Sequence, residues 1–324
     1  MERGVLLQSD PARDWQAMAD RAVERGYDAI WTAELWGADA FVRLATLAAT
    51  YDGVRLGTAI TNVFSRSPAV LAMAAATLDE VSGGRFVLGT GVTTPKVVED
   101  LHGSSFDRPV IRAEETLRLV RAFLSDSSSV AFEGEIFSVD DFPGLAVDLP
   151  LYHAALGRAN RRVVGTVADG WIPHNIPFPS LEDAFEDVAA AARAADRDPS
   201  GITVAPYVPA AIHPQPAKAR DAIRGHVAYY VGSARGYERA VGTRFPAASA
   251  VAEAWRKGDR ADARAAVTDE MVDALGVAAT PATAADRFEA VVPRSVVDHA
   301  IVVVPAGVDA AGIDRTIDAL APTG

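Results

Sequence analysis

The residues of this chain that could do chemistry stand at the ends of its apolar, strand-like runs. They are Gln8 and Ser9, Ala33-Glu34, Ala59-Ile60-Thr61-Asn62, Gly91 to Thr94, Leu156-Gly157-Arg158, His174-Asn175 and Pro206-Tyr207. The set is polar yet poor in acids and bases. No His, Asp and Glu fall at metal-ligand spacing, so no metal site is expected, and no Ser sits in a G-x-S-x-G elbow. Cysteine is absent, which removes disulfides, thiolate metal ligands and Cys nucleophiles. Such a surface suits holding a cofactor that brings its own reactivity. Gly157 and Arg158 fall between a strand and a helix, where backbone N–H groups and a positive helix terminus favour a phosphate. Gly89 and Gly91 allow close approach to a backbone, by a cofactor or by packing. Taken alone, Glu34 reads as a charge at a helix start, and Trp36 as a pocket wall or a core residue. His153 lies inside a strand and reads as structural, His174 at a strand end as site or loop, and His226 in a helical run as surface or interface.

The elements that must position these residues alternate. Strand-like runs at 4–8, 28–33, 54–60 and 85–91 are separated by helical spacing over roughly 12–25, 41–50 and from Pro68 to about Ser82. A helix at 110–124 and a hairpin at 130–139 around Gly134 follow. Alternation resumes with 151–156, a helix over about 160–167, 170–174, a helix at 181–195, 203–212, and a last strand at 299–307 before a closing helix. Eight strands in this order predict an α/β fold, a (β/α)₈ TIM barrel, whose active site lies at the C-terminal strand ends. The stretch at about 215–297 is too long for one crossover helix and is expected to be a helical insertion between strands seven and eight. No Pro/Gly/Ser-rich linker or repeat divides the chain, so residues 1–324 are expected to form one TIM-barrel domain.

Composition narrows the function classes. Hydrophobic residues make up 49% and charged residues 23%, a globular balance. The formal net charge of −12 argues against nucleic acid, which requires clustered positive charge. No apolar run approaches the roughly 20 residues of a membrane span, and the N-terminus lacks the form of a signal peptide. A soluble, cytoplasmic protein with a small-molecule substrate and no membrane partner is expected. Lysine occurs only at Lys96, Lys218 and Lys257, and the acidic, Ala-rich balance resembles proteins of salt-loving archaea. The Ala-rich runs LATLAAT and LAMAAATL permit close helix approach and point to a homodimer or homotetramer, or to packing on the barrel.

Four segments carry a resemblance: GYDAIWTAELWGADAF (26–41), VRLGTAITNVFSR (54–66), SRSPAVLAMAAATLDEVSGGRFVLGTGV (65–92) and LYHAALGRANRRVVGTVADGWI (151–172). The chain resembles the luciferase-like monooxygenase superfamily, and within it the branch that uses coenzyme F420, including methylenetetrahydromethanopterin reductases. The resemblance implies hydride transfer between the reduced deazaflavin and a small electrophile, possible substrates including a 5,10-methylene-tetrahydropterin of methanopterin or folate type. It implies a non-prolyl cis peptide at Ala59–Ile60 bulging against the ring, with Thr61 and Asn62 at the ring's polar edge. It further implies Glu34 as the catalytic acid and the cofactor phosphate at Gly157 with Arg158 or Arg161; Gly91, Thr93 and His174 are expected in cofactor binding from their places at the strand ends. Two departures stand out. The acid that sugar-phosphate dehydrogenases of the branch carry after the fourth strand falls near Thr94, and the acid that the methanogenic reductases carry in the first strand falls at Leu6, with Gln8 the nearest polar group. The alternatives within the resemblance are an FMN-dependent two-component monooxygenase, disfavoured by Leu35 where a His is common, and a non-catalytic flavin-fold binding protein.

Overall fold

A computed structural model describes residues 1–7 and 13–322; the expected site residues Gln8 and Ser9 lie outside the described residues. Eight parallel strands form the barrel wall: β1 (Glu2–Leu7), β2 (Ala29–Thr32), β3 (Arg55–Thr58, resumed at Thr61–Asn62), β4 (Phe86–Gly91), β5 (Leu151–Ala154), β6 (Gly170–Trp171), β7 (Thr203–Val204, resumed at Tyr207–Ile212) and β8 (His299–Val303). Neighbours in sequence are neighbours in the sheet, and β1 pairs with β8 in the register Glu2↔His299. The ring closes at β7 through a change of partner. Thr203 pairs with Gly170 of β6, whereas Tyr207 pairs with Ile301 of β8. Pro206 lies at the change: it has no N–H to donate, and its carbonyl accepts from Ile301 N at 2.9 Å.

The helices begin where the sequence supplies caps. Asp14 accepts from Gln16 N and Ala17 N ahead of α1 (Trp15–Glu24), and Asp39 accepts from Val42 N ahead of α2 (Ala40–Thr50). Ser67 caps α3 (Pro68–Ser82), which has Pro at its first position and ends at Gly83 with φ of 70°. α4 (Pro109–Leu124), α5 (Arg158–Val167) and α6 (Leu181–Ala194) continue the outer layer. The main core lies between wall and helices, where Leu71, Ala72, Ala75 and Leu78 of α3 are buried. The interior is filled largely by Trp31. A Cβ on Gly57 would stand 2.3 Å from its ring and one on Gly4 2.6 Å, so both glycines make room for this indole. The indole N–H donates to His299 Nε2 at 2.9 Å, and His299 Nδ1 lies 3.0 Å from Glu2 Oε2. That bond from His299 is the largest cause holding the Glu2 carboxyl down at about 2.

Between β7 and β8 run α7 (Pro216–Ser233), α8 (Arg235–Gly242), α9 (Ala248–Arg256), α10 (Arg260–Ala265), α11 (Asp269–Leu275) and α12 (Ala284–Val291). These include a core of their own, with Ile223, Val227, Met271 and Leu275 buried together. The expected helical insertion also contains one short strand. Val277–Ala279 is a strand, parallel to the outer part of β7 in the register Ala210↔Val277. Three residues between Gly276 and Thr280 are too few to show a strand period in sequence. Helix α13 (Ala310–Ala319) closes the chain.

Candidate active site

The opening feature of the site is a step in β3. Between Thr58 and Thr61 the strand bulges, and the Ala59–Ile60 peptide is cis. Two neighbouring elements, β2 and β7, hold the bulge. Ala59 N donates to Thr32 O at 2.9 Å, and Ile60 O accepts from Glu34 N at 3.1 Å. The Tyr207 hydroxyl donates to the Ala59 carbonyl. The glycines of β4 serve packing at this point. A Cβ on Gly91 would lie 2.9 Å from Ile60 Cδ1, so the space at Gly91 is taken by Ile60. At Gly89 a Cβ would lie 1.9 Å from the Thr58 carbonyl oxygen.

Glu34, at the end of β2, is clamped. Its side chain is 10% exposed and pairs with Arg66. It also accepts from Thr61 Oγ1 and from Ala40 N, each at 3.3 Å. Arg66 reaches onward to Asp39 Oδ2 at 2.6 Å and lies over the Phe41 ring at 4.9 Å. Among the charged groups that the sequence reasoning did not assign to the site, Arg66 matters most; its signal was an arginine in the polar run between β3 and α3. Asn62 spends its side-chain oxygen on the backbone N–H groups of Phe64 and Ser65, at 2.9 and 2.8 Å, which forms the turn that carries Arg66. Its amide nitrogen stands 3.3 Å from His102 Nε2. A cleft of about 500 Å³ opens here, lined by Glu34, Leu35, Trp36, Ser65, Arg66 and His102. Trp36 is 56% exposed and so belongs to the cleft rather than the core. Thr93, after β4, has φ of 55°. Another cleft, about 320 Å³, is lined by Arg121, Ser125 and Asp148 ahead of β5, at the opposite ends of the strands from these groups.

The N-terminus of α5 is open. Gly157 is its N-cap residue without a side-chain cap bond, and a Cβ there would meet nothing within 4 Å. The first-turn N–H groups and the positive helix end are thus presented without a built-in acceptor. Arg158 is largely exposed, 3.0 Å from Asp187 Oδ1, while Arg161 is tied to Asp187 Oδ2 and to the Leu156 carbonyl, each at 2.6 Å. His153 sets this corner from below. Its ring nitrogens meet Thr90 Oγ1 at 2.8 Å and Asn160 Oδ1 at 3.2 Å, which ties β4 to α5. Burial holds its pKa down at about 4, so the ring is neutral and structural, as expected from the sequence.

His174, at the end of β6, is buried and faces His226 of α7, Nε2 to Nε2 at 3.2 Å. The expected surface or interface position of His226 is therefore corrected: it is 6% exposed, in the seam between the helices and the barrel. The Tyr207, Tyr230 and Tyr237 rings surround His174 at centroid distances of 4.7, 4.3 and 5.5 Å. Burial pushes the His174 pKa well below its ordinary value and that of His226 to about 3. The signal for this cage was His226 and Tyr230 four apart on one helix face. Asn175 follows with φ of 54° and a buried carboxamide that has no protein partner for either polar atom. Among the described residues no group of His, Cys, Asp and Glu could hold a metal ion, and no helix is long and apolar enough to cross a membrane.

Residues 2–299 match the family described as luciferase-like monooxygenase. A 5,10-methylenetetrahydromethanopterin reductase from Methanolobus tindarius is 31% identical over 281 residues, which cover 85% of this chain and 86% of the relative. Among solved structures, the coenzyme F420 dependent tetrahydromethanopterin reductase from Methanopyrus kandleri aligns with a TM-score of 0.83 at 23% identity, over 99% of this chain and 97% of the other. An F420-dependent secondary alcohol dehydrogenase, solved with an F420-acetone adduct, aligns at 0.77 and 20% identity over 98% of both chains. At those identities the two structures establish a shared fold.

Proposed function

This chain belongs to the luciferase-like monooxygenase family, and from that premise we propose that it is a cytoplasmic, coenzyme F420-dependent oxidoreductase whose substrate is a 5,10-methylene-tetrahydropterin of methanopterin or folate type. The likeness to the Methanolobus reductase along most of both chains carries this reading. When bound, the reduced coenzyme supplies a hydride, which the electrophile takes up together with one proton.

The residues present fit that group. Gly157 leaves the α5 N-terminus open to a phosphate, and Arg158, exposed beside it, adds a cation. The buried, unpartnered carboxamide of Asn175 offers a donor and an acceptor beside His174. Ala59 and Ile60, backed by Gly91, form the wall for the ring; Thr61, Thr93 and the turn built by Asn62 border it. Glu34 is the acid tied to that wall, through its own backbone N–H on Ile60 O. Arg66 fixes where its charge sits, so Glu34 acts by orienting polar groups at the ring as well as by moving a proton. Apart from the proton that Glu34 moves, what these side chains contribute is position.

Helices α2 and α3 expose Val42, Val70, Met73 and Val81. Self-association through this apolar face, as a homodimer or homotetramer, belongs to the same proposal, and sedimentation velocity measures it.

The test is a titration of the purified protein with F420 and, separately, with FMN, followed by turnover of methylene-tetrahydropterins with the reduced coenzyme. Micromolar F420 binding with weak FMN binding is expected; preference for FMN overturns the reading in favour of a monooxygenase. A variant sharpens it. Gly157→Asp places a carboxylate at the α5 N-cap, a position that tolerates Asp well but where the charge repels a phosphate. F420 affinity is expected to fall by about 100-fold, roughly 2.7 kcal/mol, with the thermal midpoint unchanged or raised. Equal affinity in both proteins would place the phosphate elsewhere.

A further inference from the structure

The cage at the seam between insertion and barrel ends on the β3 bulge. Going inward, His226 of α7 meets His174 Nε2 to Nε2 at 3.2 Å, and one of these two nitrogens carries the proton shared between them. The Tyr230 ring of α7 and the Tyr237 ring of α8 close on His174 edge-on at 4.3 and 5.5 Å. His174 in turn packs on the Tyr207 ring at 4.7 Å, and the Tyr207 hydroxyl donates to the Ala59 carbonyl. The next carbonyl, that of Ile60, is held by Glu34 N at 3.1 Å. The two carbonyls of the bulge are thus pinned from opposite sides of the barrel mouth, one by β2 and one by β7.

We infer that Tyr207 is a positioning residue for the cofactor ring, and that the His174–His226 contact carries the seating of α7 and α8 to it. This rests on the reading that a planar cofactor lies against Ala59–Ile60. A phenol donating to a main-chain carbonyl fixes the plane of that peptide, and the phenol ring is backed by His174, itself packed against His226, Tyr230 and Tyr237 and so left little freedom to let it turn. The helices of the insertion thereby set a surface that lies on another element, as outer partners orient the groups that touch a ligand.

The experiment compares the wild type with Tyr207→Phe, His226→Leu and His226→Gln, reading F420 affinity by fluorescence, the absorbance band of the bound coenzyme, and the thermal midpoint. Tyr207→Phe is expected to weaken F420 binding about tenfold, the worth of one ordinary hydrogen bond, and to move the bound band toward that of free coenzyme. His226→Leu is expected to act in the same direction, with His226→Gln, which restores a polar nitrogen, recovering most of the affinity. A seam that serves stability alone predicts lower thermal midpoints with wild-type affinity and band position, and that result overturns the inference. Should His226→Leu fail to fold, Tyr207→Phe, which keeps the ring, decides. Absence of F420 binding by the wild type would overturn the functional reading and this inference with it, whereas tight wild-type binding with unaltered variants overturns the inference alone.

Discussion

Between pH 6.5 and about 4 the protein is expected to lose stability at roughly 1.4 kcal/mol per pH unit for each histidine buried in its neutral form. Three such rings lie in the barrel wall or against it: His153, His174 and His226. In the unfolded chain each takes up a proton near pH 6.5; in the folded chain burial defers this to about 4 for His153 and about 3 for His226. The unfolded state therefore binds more protons throughout this window, and stability falls as the pH falls. The deferral corresponds to roughly 3 kcal/mol for His153 alone, against a total stability of about 5–15 kcal/mol for a typical domain. Glu2 adds a loss of the same sign at lower pH. Its carboxylate, held by His299, stabilises the fold fully above about 4.5, and that contribution is lost as the pH falls toward 2. Urea midpoints at pH 7.5, 6 and 5 measure the effect, and an unchanged midpoint would refute it. His153→Gln is expected to flatten the slope by one histidine's share, because the titrating group is gone while a polar side chain remains near Asn160.

Gly89→Ala is expected to cost at least about 4 kcal/mol, the range reached only when a substitution has no way to relax. The added Cβ would stand 1.9 Å from the Thr58 carbonyl oxygen, and no rotamer can move a main-chain atom aside. Thr58 and Gly89 are also joined by two hydrogen bonds through the Thr58 hydroxyl, each at 2.8 Å, so parting β3 from β4 would break both. Since Thr58 immediately precedes the bulge, the damage extends to the candidate site. The internal control is Gly157→Ala, where a Cβ meets nothing within 4 Å and the backbone φ of −84° suits any residue. A denaturation midpoint for Gly89→Ala within error of that control would show that the two strands can separate at little cost.

The alternation of strands and helices was legible because each element carries its own period and its own caps. The runs GYDAIWTA and RFVLGTG end where β2 and β4 end to within a few residues, and Pro68 and Gly83 bracket α3 in both descriptions. Where a candidate site would lie followed, since a parallel barrel presents its strand ends at one mouth, and so did the place of Gly157 between a strand and a helix. The sequence did not disclose which polar groups are already committed. Asn62 looks free until its oxygen is found on two backbone amides, and Glu34 looks like a lone acid until Arg66, 32 residues away, reaches it. His226 reads as a surface or interface residue because α7 has polar and apolar groups on several sides; only the packing of α7 on β7, with the His174 ring facing it, buries it.

By itself, then, the sequence determined the order and kind of the elements, the mouth at which they converge, and the family, because those depend on local periodicity and on motifs contiguous in the chain. Tertiary structure decided the pairings across the mouth: Tyr207 on Ala59, Arg66 on Glu34, His226 on His174. The partners in these contacts stand up to 148 residues apart, and closing the barrel is what brings them together. A local signal can mark one member of such a pair but not its partner, since what selects the partner is the need of each buried polar atom for one once the core has formed.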